Sequence, residues 1–280
     1  LRELSGGKPT GFKLCIGHPW EWFAIAKAML ETDITPDFIV VDGAEGGTGA
    51  APVEFSDHVG VPLQEGLRMV HNTLRGIGLR GRIRLGCAGK VVSAFDIARM
   101  MALGADWCNS ARGFMMAVGC LQAQTCHTGF CPTGVTTQDP VRQRALVPSD
   151  KAPRVAQFHQ STMHALQELL QAAGLTQPGD LTAHHIVRRI DDAEVRLLSA
   201  LLPLVAEGAI LNHLDSLPTV YRLFWPLADA HSFQPKDPQA LNQDRAAPTN
   251  GRANGVHSAY HVAQELAAAS NAPETTAPVR

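Results

Sequence analysis

The chain has 280 residues, 45% of them apolar, with a formal net charge of −2 and an isoelectric point near 6.7. That content is enough for one substantial core with a small appendage, and the near-neutral charge excludes the basic footprint of a nucleic-acid or anionic-lipid binder. No apolar run is long enough for a membrane span, no secretory pattern is visible, and six cysteines are too sparse for a secreted disulfide scaffold. A reducing, cytoplasmic setting is expected, and Leu1 in place of Met suggests a processed or truncated piece.

Taken in order, the first β-like run is FKLCIG, Phe12 to Gly17. It carries Lys13 between Phe12 and Leu14, where an unpaired buried ammonium would be costly. Lys13 therefore either points at a ligand from a strand end or reaches solvent. A helical pattern follows over Trp20 to Leu30, then a second run, DFIVVDG, Asp37 to Gly43. VDGAEGGTGAAP, Val41 to Pro52, places Gly43, Gly46, Gly47 and Gly49 just after that strand. Such a loop permits close backbone approach to an anion, or is simply a flexible connection. Glu45 within it reads as a solvated carboxylate more readily than as a ligand contact.

Leu63, Leu67, Val70 and Leu74 mark a second helix, RIRLGCAG (Arg82 to Gly89) a third strand, Ala94 to Leu103 a third helix and DWCNSARG (Asp106 to Gly113) a fourth strand. Alternating strands and helices predict βα units on a parallel sheet. Four units make half of a closed eight-stranded barrel or a small open sheet. The turns GCAGK and NSARG follow the third and fourth strands. Gly89 and Lys90 in one, with Arg112 and Gly113 in the other, could cradle a phosphate.

Cys120, Cys126 and Cys131 then fall at C-x5-C-x4-C, followed by Pro132. A disulfide would leave one thiol over, and zinc would need a fourth ligand, for which His127 is badly placed beside Cys126. Three thiolates at short irregular spacing fit a three-iron cluster, against the alternative of buried free thiols. Cys15, Cys87 and Cys108 lie in strands and read as small core residues. His127, His184 and His185 read as structural or surface histidines.

Beyond this loop the pattern turns helical. One amphipathic helix runs through Val155, Phe158, Leu166 and Leu170 to a stop at Gly174, and a second is expected over Ala193 to Leu202. Three regions result: 1–140, 141–233 as a helical extension, and 234–280 as a mostly disordered tail with a short helix over His261 to Ala269.

DFIVVDGAEGGTGAAP, GLRGRIRLGCAGK, ALGADWCNSARGFMMAVGCLQAQTCHTGFCPTGVTTQD and VYRLFWPLADAHSF together resemble the FMN-binding synthase domain of the glutamate synthase family, above all its stand-alone bacterial members. The likeness runs from about Gly11 to Phe233. It implies a TIM-type (β/α)8 barrel of which the last four units are present, binding FMN and a [3Fe-4S] cluster. Residue by residue, it implies Cys120, Cys126 and Cys131 as cluster ligands and Lys13 as an active-site lysine. It also puts Gly46, Gly47 and Thr48 at the flavin, and Gly89, Lys90, Ala111, Arg112 and Gly113 at its phosphate. The implied reaction is the FMN-dependent reduction of 2-iminoglutarate, made from 2-oxoglutarate and ammonia, to L-glutamate, with the cluster relaying electrons. Neither a glutaminase nucleophile nor an NADPH-binding fingerprint is visible, so separate glutaminase and reductase or ferredoxin partners are expected. The alternatives are a non-catalytic flavin and iron–sulfur electron-transfer subunit, or another FMN-dependent barrel oxidoreductase using a different amine donor such as methylamine.

Overall fold

The computed structural model describes residues 1–46 and 53–238. Its first part alternates β1 (Gly11–Cys15), α1 (Pro19–Thr32), β2 (Phe38–Asp42), α2 (Leu63–Gly76), β3 (Arg84–Ala88), α3 (Ala94–Ala102), β4 (Trp107–Asn109) and α4 (Arg112–Ala117). The strands form one four-stranded sheet in the order β1-β2-β3-β4, with every pairing parallel. The second part holds α5 (Pro140–Gln143), α6 (Pro148–Ala172), β5 (Val187–Arg189), β6 (Val195–Leu197), α7 (Leu198–Leu201), α8 (Ala209–Asn212) and α9 (Thr219–Leu227).

Strand parity divides the sheet into two chemical faces. Ile39 and Val41 of β2 and Leu85 and Cys87 of β3 join Trp22 and Phe23 of α1, Leu67, Val70 and Leu74 of α2 and Ala98 of α3 in one buried cluster. Each large side chain sealed there contributes about 1.5–3 kcal/mol. The opposite parity carries Lys13, Cys15, Phe38, Val40, Asp42, Arg84, Gly86, Trp107 and Asn109. Lys13, Cys15, Arg84 and Asn109 are exposed on that face.

The helices start and stop where their local chemistry dictates. Ser93 caps α3, its hydroxyl accepting the Asp96 amide at 3.2 Å while Asp96 Oδ2 accepts the Ser93 amide at 2.9 Å. Pro148 opens α6, and Gly174 beyond its end takes φ +71°, the left-handed conformation that terminates helices.

The second part packs onto the first as one core. Phe23 of α1 packs against Tyr221 and edge-on to Trp225 of α9, at ring separations of 5.7 and 5.5 Å. Polar side chains of α2 grip the backbone between α7 and α8: Arg68 Nε donates to the Leu202 carbonyl at 3.0 Å, and Arg75 Nε to that of Val205 at 3.2 Å. Asn72 donates to the Pro203 carbonyl at 2.9 Å and accepts the Val205 amide at 3.1 Å. No helix among the described residues is long and apolar enough to cross a membrane.

Three expectations are corrected. The fourth strand ends at Asn109, and Arg112 and Gly113 already belong to α4, because the Ser110 hydroxyl turns back to the Val91 carbonyl at 2.7 Å. The stretch from Ala193 to Leu202 is not one helix: β6 pairs antiparallel with β5, and only Leu198 onward is helical. Asp191 closes that hairpin by accepting the Ala193 and Glu194 amides, each at 2.8 Å. Cys15 is not a core residue, since its parity puts it on the exposed face. Of the expected tail, residues 234–238 are described, and there the Lys236 amide donates to the Leu227 carbonyl at 2.8 Å. The helix expected over His261 to Ala269 lies outside the described residues.

Candidate functional site

The carboxyl ends of the strands bring together the first two elements of interest. Lys13 and Asp42 share a face on neighbouring strands, because Lys13 is in register with Val40 and Cys15 with Asp42. Lys13 Nζ lies 2.6 Å from Asp42 Oδ2, with the lysine side chain 54% exposed and the aspartate 21%. The charged residue in the apolar strand is thus paired, and its ammonium still faces the open side of the sheet. Nearer the amino ends the same face is apolar, where the Phe38 and Trp107 rings meet edge to face at 5.9 Å. Gly86 is obligatory there, since a Cβ would fall inside the Trp107 indole.

Of the glycine-rich loop, Gly46 is described while Gly47 and Thr48 lie outside the described residues. A Cβ on Gly46 would come 2.7 Å from Asp42 Oδ1, so the loop leaves the sheet pressed against the carboxylate that holds Lys13. Glu45 is not a solvated carboxylate. Both of its oxygens accept the Leu63 amide, at 3.0 and 2.9 Å, and so cap α2 from eighteen residues upstream.

Gly89 follows β3 at φ +142° and packs against the Gly43 amide and Leu63. Lys90, at φ +49°, is engaged by Asp57 at 2.6 Å. A cavity of about 150 Å³ opens between Glu45, Leu63, Gly89, Lys90 and Arg99. That is below the ~300–1,000 Å³ of sites that hold cofactor-sized ligands. A flavin ring does not fit in it. Ala111, Arg112 and Gly113 stand at the start of α4, Arg112 exposed. Gly113 has a packing role as well, since a Cβ there would meet the Phe158 ring of α6 at 2.8 Å.

Cys120 follows α4, Cys126 opens a 3₁₀ turn, and Cys131 is buried. The structure does not gather them: among the described residues, no group of three or more His, Cys, Asp or Glu side chains could hold a metal ion. The environment of Cys131 nonetheless suits a thiolate. Cys120 Sγ accepts the Gln122 amide at 3.4 Å. Burial opposes ionisation of Cys131, but hydrogen bonds from the Thr133 hydroxyl and from the Thr136 and Thr133 amides outweigh it and bring the thiol down to about 6. Cys87 and Cys108 approach at 3.5 Å from adjacent strands, and their mutual hydrogen bond and burial push the Cys87 thiol up. His184 and His185 are structural, bonded to Ser199 and Thr182.

Two residues were missed by sequence reasoning, Asp42 as the partner of Lys13 and Glu45 as the cap of α2. The signal for Asp42 was its shared parity with Lys13, but that becomes a contact only once the strand register is known.

Residues 1–176 match the family model described as the conserved region in glutamate synthase. The glutamate synthase large subunit-like protein YerD of Bacillus subtilis (strain 168) is 42% identical over 70% of this chain and 37% of its own length. The archaeal glutamate synthase [NADPH] of Methanocaldococcus jannaschii is 37% identical over 60% of this chain and 32% of its own. The archaeal-type glutamate synthase [NADPH] of Thermotoga neapolitana is 34% identical over 68% of this chain and 38% of its own. The chain therefore spans about a third of the length of these relatives. Among solved structures, a mutant flavocytochrome b2 with pyruvate bound aligns at a TM-score of 0.40 and 14% identity, over 78% of this chain and 43% of that one. That likeness is too slight to carry an argument.

Proposed function

The chain belongs to the glutamate synthase family, and from that premise we propose that it contributes the flavin-side half of a site forming L-glutamate from 2-oxoglutarate and ammonia. The observation that carries this reading is the Lys13–Asp42 pair, a cation held at the carboxyl ends of parallel strands on the face free of helices. In (β/α)8 barrels that is where active sites form. Sequential strand order with helices on one face supports four consecutive units of such a barrel.

FMN bound on that face would deliver a hydride to the imine carbon of 2-iminoglutarate. Lys13 would hold a substrate carboxylate or supply the proton to the imine nitrogen, either of which calls for an ammonium with open donor positions. The glycines at 46 and 47 with Thr48, and the turns at Gly89–Lys90 and Ala111–Gly113, would line the flavin and its phosphate, with Lys90 leaving Asp57 for that anion.

A [3Fe-4S] cluster on Cys120, Cys126 and Cys131 is part of the proposal on donor chemistry alone, with iron drawing the three sulfurs together as metal binding orders a loop. Because they stand apart in this structure, no electron route is derived through them. The reductant and the nitrogen source, including any separate glutaminase or ferredoxin, remain outside what these residues specify.

The test is a visible absorption spectrum of the purified polypeptide with flavin and iron quantified, followed by assay of 2-oxoglutarate- and ammonia-dependent glutamate formation with a reduced carrier. Bound flavin with glutamate formation supports the reading. Flavin binding without any glutamate removes it in favour of an electron-transfer role.

A further inference from the structure

We propose that Asp42 is the positioning residue for Lys13, holding it so that the ammonium is presented to an anionic dicarboxylate. This rests on the function proposed above and names the group that shapes its site. Asp42 is the last residue of β2, on the same parity as Lys13. Its two carboxylate oxygens serve different neighbours. Oδ2 lies 2.6 Å from Lys13 Nζ, while Oδ1 abuts Gly46, where any side chain would collide with it at 2.7 Å.

The asymmetry of exposure matters. Asp42 is mostly covered whereas Lys13 is half open, so the carboxylate is the fixed member and the ammonium the one addressed to solvent. An ammonium has three donors. With one engaged by Asp42, two remain to take a substrate carboxylate without the stem swinging free. A lysine without that partner would have to lose the freedom of a four-carbon side chain on binding.

The experiment compares wild type, Asp42→Asn, Asp42→Glu and Asp42→Ser in the full chain. Acetylation of Lys13 by an N-hydroxysuccinimide ester is followed by peptide mass spectrometry, with exposed Lys8 as internal reference. Removing the charge should speed Lys13 acetylation about threefold or more relative to Lys8, the scale on which a partly exposed ion pair protects an amine. Asp42→Glu should stay near wild type, and Asp42→Ser supplies the uncharged variant if the amide does not fold. In the glutamate assay Asp42→Asn should lower kcat roughly tenfold or more, with KM for 2-oxoglutarate moving less. Unchanged Lys13 acetylation in the uncharged variants, or an unchanged kcat, overturns the proposal. If wild type forms no glutamate while the acetylation shift is present, the function above fails and the positioning of Lys13 by Asp42 stands.

Discussion

Lys13 shows how one side chain acquires meaning from its neighbours. In isolation it is a charge in an apolar strand; in the sheet it lies on the open face with a carboxylate 2.6 Å away. Lys13→Ala should retain flavin yet lose turnover by roughly 10²–10⁴-fold, the usual range for a general acid. Flavin content from the absorption spectrum and the rate of glutamate formation check this together, and full activity would remove the assignment. His71 is a second residue whose behaviour follows from position. Burial first, then the Arg80 guanidinium, push its imidazole down to about 3, and neutral Nδ1 accepts from Arg80 Nε at 3.1 Å. The folded value lies below the unfolded one, so the unfolded chain takes up the proton first as pH falls. His71 then contributes stability that is complete above about pH 6.5 and is lost progressively as pH falls through the folded value near 3. Between pH 7 and pH 5 the loss should be about 2 kcal/mol. His71→Gln keeps an acceptor for Arg80 and should remove most of that slope in urea unfolding at the two pH values.

At the level of elements, the sheet tolerates little change on its open face. Gly86 sits in central β3 beneath the Trp107 indole. Gly86→Ala should displace the ring and cost about 1–3 kcal/mol, the usual range for overpacking, read as a lower thermal midpoint. Periodicity made the strands and the first three helices legible: Leu63, Leu67, Val70 and Leu74 do form the buried stripe of α2. It failed between Ala193 and Leu202, where the stretch begins in a turn that Asp191 closes by accepting two backbone amides, then runs as β6 and becomes helical only at Leu198. A three-residue strand is too short for periodicity to distinguish from a helical turn, so only pairing with β5 reveals β6. The cap of α2 was hidden for a related reason. Its acceptor, Glu45, stands eighteen residues away, whereas capping motifs are read within four positions.

Across the whole molecule, the polar grip of α2 on residues 202–205 joins the sheet region to the helical region. Asn72 is buried, and both of its amide groups are used on that segment. Asn72→Ala would orphan a carbonyl and an amide, so a loss of roughly 2–6 kcal/mol is expected at about 1–3 kcal/mol per stranded group. Chemical denaturation should show it as a single lowered midpoint if both regions unfold together. The amino-acid sequence by itself determined the βα alternation and the family likeness later matched over residues 1–176. Those features are local in the chain, or are carried by contiguous motifs. Only the tertiary structure decided that Lys13 is held by Asp42, that Glu45 caps a distant helix, that Gly113 serves packing against Phe158 and that the three loop cysteines stand apart. Each depends on strand register or helix docking between residues far apart in sequence, and no local pattern encodes the distance between them.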